Sequence, residues 1–146
     1  RLLEAKALLL IGQTAPATAI LSTLTDKKDQ DQLSRAAYAM LGVVNIHSGR
    51  SRTGLDLLLQ ALENSADYTW EGQAEAEADL GLAYLVVGDG EKGLMWLRRA
   101  QMFFEATGDF DSLVRSLKNE RDYYDEIGEN GLASQVQLRI DELRAY

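Results

Sequence analysis

The side chains best suited to chemistry in this sequence are its one histidine, His47, and a run of carboxylates that includes Glu75, Glu77 and Asp79. A general base needs an oriented partner within hydrogen-bond reach, and the sequence identifies none for His47. His47 falls instead on the last turn of an expected helix, where an imidazolium interacts favourably with the helix dipole. Glu75, Glu77 and Asp79 alternate along a helix, so they fan around it instead of converging as metal ligands would. The chain has no cysteine, which excludes thiolate metal sites, disulfides and cysteine nucleophiles. Gly88-Asp89-Gly90 lacks the Lys-Ser or Lys-Thr that completes a phosphate-binding loop. The reading is a protein with no catalytic residue, no metal and no cofactor.

Charge narrows the partners. The 146 residues carry a formal net charge of −8, the wrong sign for nucleic acid, whose phosphates require a basic face. From Asp67 to Glu91 there are seven acids and no Lys or Arg. That block reads either as a solvated helix face or as a docking patch for a partner with basic residues. No apolar run approaches the roughly 18–20 residues needed to span a bilayer, so no membrane insertion is expected. The apolar stretch from Leu2 to Ile11 contains Glu4 and Lys6 and lacks a small-residue cleavage site, which reads as a buried helix. A cytoplasmic location suits the missing cysteines.

What positions these side chains is a repeat. Gly12, Gly49, Gly88 and Gly128 are separated by 37, 39 and 40 residues. Four residues before each stand Leu8, Asn45, Tyr84 and Tyr124; five residues after each stand Ala17, Gly54, Gly93 and Ala133. The recurring glycine suits a left-handed helix C-cap, and the small residue suits a close crossing of two helices. Helices are expected at about 1–11, 16–25, 31–48, 51–65, 69–87, 90–106, 110–127 and 130–144. Pro16 then sits in a first turn, where its missing N–H costs nothing. Ser51, Thr69, Asp89, Asp109 and Asn130 are expected N-caps. No stretch shows strand alternation, so the class is all-α.

The second and third repeats run Tyr38-x-x-Leu41-Gly42-x-x-Asn45-x-x-x-Gly49 and Glu77-x-x-Leu80-Gly81-x-x-Tyr84-x-x-x-Gly88. They continue to Gly54 or Gly93, then Leu58 or Leu97, then Ala61 or Ala100. This resembles the tetratricopeptide repeat (TPR) signature, in the longer variety of bacterial regulators and kinesin-light-chain-like adaptors, with Phe103 to Asp109 similar to its linker. Repeat four departs at the Leu-Gly pair, where Glu120 and Arg121 stand, and repeat one lacks much of its first helix. The resemblance implies a right-handed α-solenoid of about four antiparallel helix pairs. It forms one domain over 1–146, with repeats near 1–30, 31–68, 69–108 and 109–146.

The resemblance also implies a concave groove lined by the first helix of each pair, and a scaffold or regulatory adaptor that binds a peptide or helix of a partner protein there. Counted by the family's register, the groove takes Ala36, Met40, Val43, Ile46 and His47 from repeat two. It takes Glu75, Asp79, Leu82, Leu85 and Val86 from repeat three, and Arg115, Lys118, Asn119 and Asp122 from repeat four. Lys118 and Asn119 match the family's carboxylate clamp in that repeat alone, so the clamp is not expected. Trp70, Trp96, Phe103, Phe104, Tyr123 and Tyr124 read as packing between repeats. Helix eight has a polar outer face, whereas Leu2, Leu3, Leu8, Leu9, Leu10 and Ile11 occupy more of the first helix than one neighbour covers. Either residues before Arg1 or another chain would cover that end. The alternative is therefore a homo-oligomer through the N-terminal helix, or the C-terminal piece of a larger signalling or transcription regulator.

Overall fold

A computed structural model describes residues 1–25, 32–63 and 70–145. Eight helices lie within them: α1 (Leu2–Leu10), α2 (Thr14–Thr25), α3 (Gln32–His47), α4 (Ser51–Ala61), α5 (Gln73–Val87), α6 (Gly90–Thr107), α7 (Phe110–Glu126) and α8 (Asn130–Arg144). There is no strand among the described residues. Each helix packs on the next in the chain. In addition α3 touches α5 and α5 touches α7, so the first helices of successive pairs form one layer.

The four registered glycines do what their spacing predicts. Gly12, Gly49, Gly88 and Gly128 all have φ between 79° and 96°, a left-handed backbone that glycine adopts at no steric cost. The N–H of the residue after each donates to a carbonyl five residues back, on Leu8, Asn45, Tyr84 and Tyr124 in turn. That bond closes a Schellman cap and satisfies a helix-end carbonyl that would otherwise be orphaned. The recurring residue four positions before each glycine is thus the acceptor end of the cap.

Inside the second and third pairs, glycine meets glycine. A Cβ added at Gly42 would lie 3.0 Å from the Gly54 carbonyl oxygen, and one at Gly81 would lie 2.9 Å from that of Gly93. The pairs α3/α4 and α5/α6 therefore cross backbone to backbone, and Leu58 and Leu97 fill the seam with no exposure at all. The fourth pair solves the crossing differently. Arg121, at the place of Gly81, donates to Gln137 Oε1 at 2.6 Å. Glu120, at the place of Leu80, is buried and reaches Arg98 of α6 at 3.8 Å, while Arg98 donates to the Tyr124 hydroxyl at 2.8 Å. The departure from Leu-Gly in repeat four is thus replaced by polar links across helices.

Three apolar clusters run along the chain instead of one central core. The first joins α1, α2 and α3 through Ala5, Leu21, Leu24 and Leu41. The second joins α3, α4 and α5 through Leu55, Leu58, Trp70 and Leu80. The third joins α6, α7 and α8 through Phe104, Leu113, Leu117 and Ile140. Each repeat depends on its neighbours only, the arrangement expected of stacked repeats.

Several boundaries differ from expectation. Asp89 and Asp109 cap their helices, accepting from the N–H of Lys92 and of Ser112 at 3.2 Å each. Ser51 and Asn130 are instead the first helical residues, and Arg50 and Glu129 precede them without a side-chain cap. Thr69 and the predicted ends at 31 and 65 lie outside the described residues. Helix α5 begins at Gln73 and not at 69, because Gly72 turns the backbone left-handed at φ 91°. Helix α2 begins at Thr14, which leaves Pro16 within the first turn as anticipated.

Candidate partner-binding groove

The layer of first helices presents a cleft between α1, α3 and α5. Lys6 and Leu9 form one wall, Ala36, Met40 and Val43 the floor, and Glu75 and Asp79 the opposite wall. Trp70 and Glu71 close one end. The cleft is half open and holds about 200 Å³, below the roughly 300 Å³ at which small-molecule pockets begin and of a size for a side chain. An adjoining depression of about 470 Å³ shares Lys6, Ala36 and Glu75 with it and continues along Leu2, Gln32 and Leu33.

The acids of α5 divide between two faces. Glu75 and Asp79 are one turn apart and both line the cleft. Glu77 points the other way, is buried, and pairs with Arg99 of α6 at 3.5 Å. Its role is to join the two helices of its own pair. Asp79 is partly buried, and among the described residues it has no hydrogen bond and no ion pair. Burial, then the neighbouring Glu75 charge, pushes its pKa from the usual 3.8 up to about 7, against a smaller lowering by Arg115. At neutral pH this carboxyl is poised between its two protonation states.

The other predicted groove residues are distributed unevenly. Ile46 and Leu85 are not in the groove. They are buried, at 9% and 7% exposure, inside their own hairpins, where a Cβ at Gly54 would meet Ile46 and one at Gly93 would meet Leu85. The close glycine crossing draws these side chains toward the second helix of each pair, about 60° around the helix from Val43 and Leu82. Leu82 is half-buried, while His47 and Val86 are exposed near the ends of α3 and α5. Arg115 and Lys118 line a second concavity of about 970 Å³ with Phe110, Val114, Leu143 and Arg144. Asn119 is half-buried, and the Asp122 carboxylate accepts from Arg121 at 2.8 Å.

Lys6, Leu9, Trp70 and Phe110 line these concavities without belonging to the predicted set. Lys6 carries a signal that could have found it: it stands six residues before Gly12, as Val43 stands before Gly49 and Leu82 before Gly88. Trp70, expected to pack between repeats, does belong to the second cluster, but it also borders the cleft. Among the described residues no group of three or more His, Asp or Glu side chains is placed to hold a metal ion, and no helix is long and apolar enough to cross a membrane.

No family model and no curated protein matches the sequence. Two solved structures match the fold, both described as a Podosopora anserina putative kinesin light chain with nearly identical TPR-like repeats, one of them a single-residue variant of the other. The variant superposes with a TM-score of 0.71 at 17% identity, covering 97% of this chain and 71% of the other. The second gives 0.67 at 16% identity, over 97% and 72%. This chain folds as a TPR-like α-solenoid. At that identity the likeness speaks for the backbone alone, and the TPR-like arrangement agrees with the Leu-Gly, Tyr and turn-Gly pattern in the repeats. A fold of this kind is a helical repeat scaffold, whose function resides in the side chains it displays.

Proposed function

We propose that this TPR-like chain is a protein-interaction module, a scaffold or regulatory adaptor, that takes a peptide or helix of a partner protein into the cleft between α1, α3 and α5. The observation that carries the reading is the pairing of an apolar floor with an unbonded carboxylate: Ala36, Met40 and Val43 beside Asp79. An apolar floor recognises anchor side chains, and a carboxylate beside it that no protein group bonds selects among them. The reading assigns no catalytic step to any residue. Val43→Glu combined with Asp79→Lys reverses both features at two half-buried positions of the cleft. Capture of a partner by the parent and its loss in this variant, with matching circular dichroism, is the expected result. Equal capture by both would remove the groove from consideration.

A second reading, self-association through α1, is favoured by one specific observation. Leu3 and Leu10 of α1 are 78% and 88% exposed, and Ile11 just after it is 69% exposed. Ala7 is exposed as well, although Val44 and Ala83, its counterparts in the turn register, are buried. On this reading a second copy of the chain covers the α1 stripe. Light scattering is then expected to show mass rising with concentration, and Leu10→Glu to return it to the monomer. A constant monomer mass in the parent would dispose of the idea.

A further inference from the structure

The cleft carries more information than its shape. Its floor is uncharged, and the charged groups around Asp79 can be assigned helix by helix. Helix α1 contributes Lys6, the segment before α5 contributes Glu71, α5 itself contributes Glu75, and Arg115 approaches from α7. Helix α3 contributes only Ala36, Ala39, Met40 and Val43 to the lining. Three carboxylates thus border a space into which one cation, Lys6, projects from the far wall. Arg115 influences Asp79 electrostatically yet forms no ion pair with it among the described residues.

We propose that the occupant of the cleft is a peptide segment in which an apolar side chain stands beside a lysine or arginine. The apolar side chain seats on Ala36, Met40 and Val43, and the cation lies against Asp79 and Glu75. This rests on the groove reading above and specifies its ligand. A cation supplies charge-assisted hydrogen bonds that no protein group gives the Asp79 carboxylate, and it relieves the repulsion between Asp79 and Glu75. An acidic partner would add a third negative charge to that wall. A purely apolar one would bury the carboxyl with nothing to bond it, which is costly. The volume of about 200 Å³ holds an anchor side chain and leaves the cation at the rim, where a long lysine or arginine stem reaches the carboxylates.

Proton linkage gives the proposal a signature of its own. A cation binds ionised Asp79 and not the neutral acid, so binding and proton release are coupled. With the carboxyl half-ionised near pH 7, affinity rises from pH 6 to pH 8 by about five- to tenfold. A peptide held only by apolar contacts shows no such rise.

The test is to pan a random short-peptide display library against the chain at pH 8. Selected peptides are then synthesised and their binding measured by fluorescence polarisation at pH 6 and pH 8. The expected consensus is a Leu, Met or Phe next to a Lys or Arg. Its affinity should fall about tenfold or more when the peptide cation becomes Gln, and likewise in Asp79→Asn. Circular dichroism melts of Asp79→Asn separate lost binding from lost structure. An acidic or wholly apolar consensus that Val43→Glu still abolishes would overturn this inference while leaving the groove reading standing. Absence of any selected peptide that competes for the groove would overturn both. An affinity unchanged in Asp79→Asn, or flat between pH 6 and pH 8, also rejects the assignment of Asp79.

Discussion

Asp79→Asn is expected to stabilise the protein at pH 8 by about 2–4 kcal/mol and to leave it nearly unchanged at pH 4. The sign follows from the direction of the shift. Unfolded, the carboxyl loses its proton near 3.8; folded, it holds the proton until about pH 7. Below pH 4 both states are protonated, and the favourable contribution of the neutral acid is fully present. Between pH 4 and pH 7 the unfolded chain is ionised while the folded chain must retain a proton, so stability drains away by up to about 1.4 kcal/mol per pH unit. Above pH 7 the folded state carries a desolvated carboxylate beside Glu75, and the loss is complete. Asparagine keeps the shape and cannot ionise, so urea melts of parent and variant should diverge as pH rises from 4 to 8. Parallel curves across that range would show that the site does not penalise the charge. The same substitution is expected to weaken peptide binding, so one side chain would lower stability while enabling recognition, a trade common at functional sites.

How much of this was legible before the structure depends on whether a feature is local or assembled. The turns were local. A glycine followed at fixed distance by a small residue needs only helix-end geometry and close packing to be read, and all four turn glycines have the left-handed φ that their role requires. Asp89 and Asp109 were legible for the same reason, since a cap is made within four residues. The start of α5 was not. A threonine at the expected start of a helix reads as a cap, and the sequence alone does not say that Gly72, three residues later, takes a left-handed backbone.

The groove was legible only in part, because it belongs to three helices at once. Of the residues that the family register names, Met40, Val43, Glu75 and Asp79 line one cleft. The register misplaced Ile46 and Leu85 because a position one turn along a helix is rotated by about 60° after three residues, and the glycine crossing takes that sector. The ionisation of Asp79 was illegible altogether. It arises from burial and from the Glu75 charge, opposed by Arg115 of α7, a balance that a single helix cannot report. The polar links of repeat four were visible as the missing Leu-Gly pair, but Arg98 and Gln137 could not be named as partners of Glu120 and Arg121 without the fold.

The largest loss of stability should come from the seam of the third pair. Gly81→Val is expected to lower stability by about 3 kcal/mol, which for a chain of this size is a fall in Tm of roughly 10 °C. A Cβ there lies 2.9 Å from the Gly93 carbonyl oxygen, 2.9 Å from the Leu97 nitrogen and 2.9 Å from its Cγ. Two of those three atoms are backbone and cannot rotate aside, so the helices must separate. Separation opens a gap around Leu97, which is fully buried, and it tilts α5 relative to α3. The binding consequence follows, because Glu75 and Asp79 travel with α5 while Met40 and Val43 stay on α3. Peptide affinity should therefore drop in Gly81→Val even at temperatures where the variant remains folded. Gly131→Ala supplies the contrast. That glycine lies in the first turn of α8 with nothing within 4 Å of an added Cβ, and alanine there should raise stability by up to about 0.5–1 kcal/mol through helix propensity alone. Thermal melts of the two variants beside the parent decide the matter. If both move Tm in the same direction, the glycines of this chain do not differ by location, and the close crossing is not what holds α5 in place beside α3.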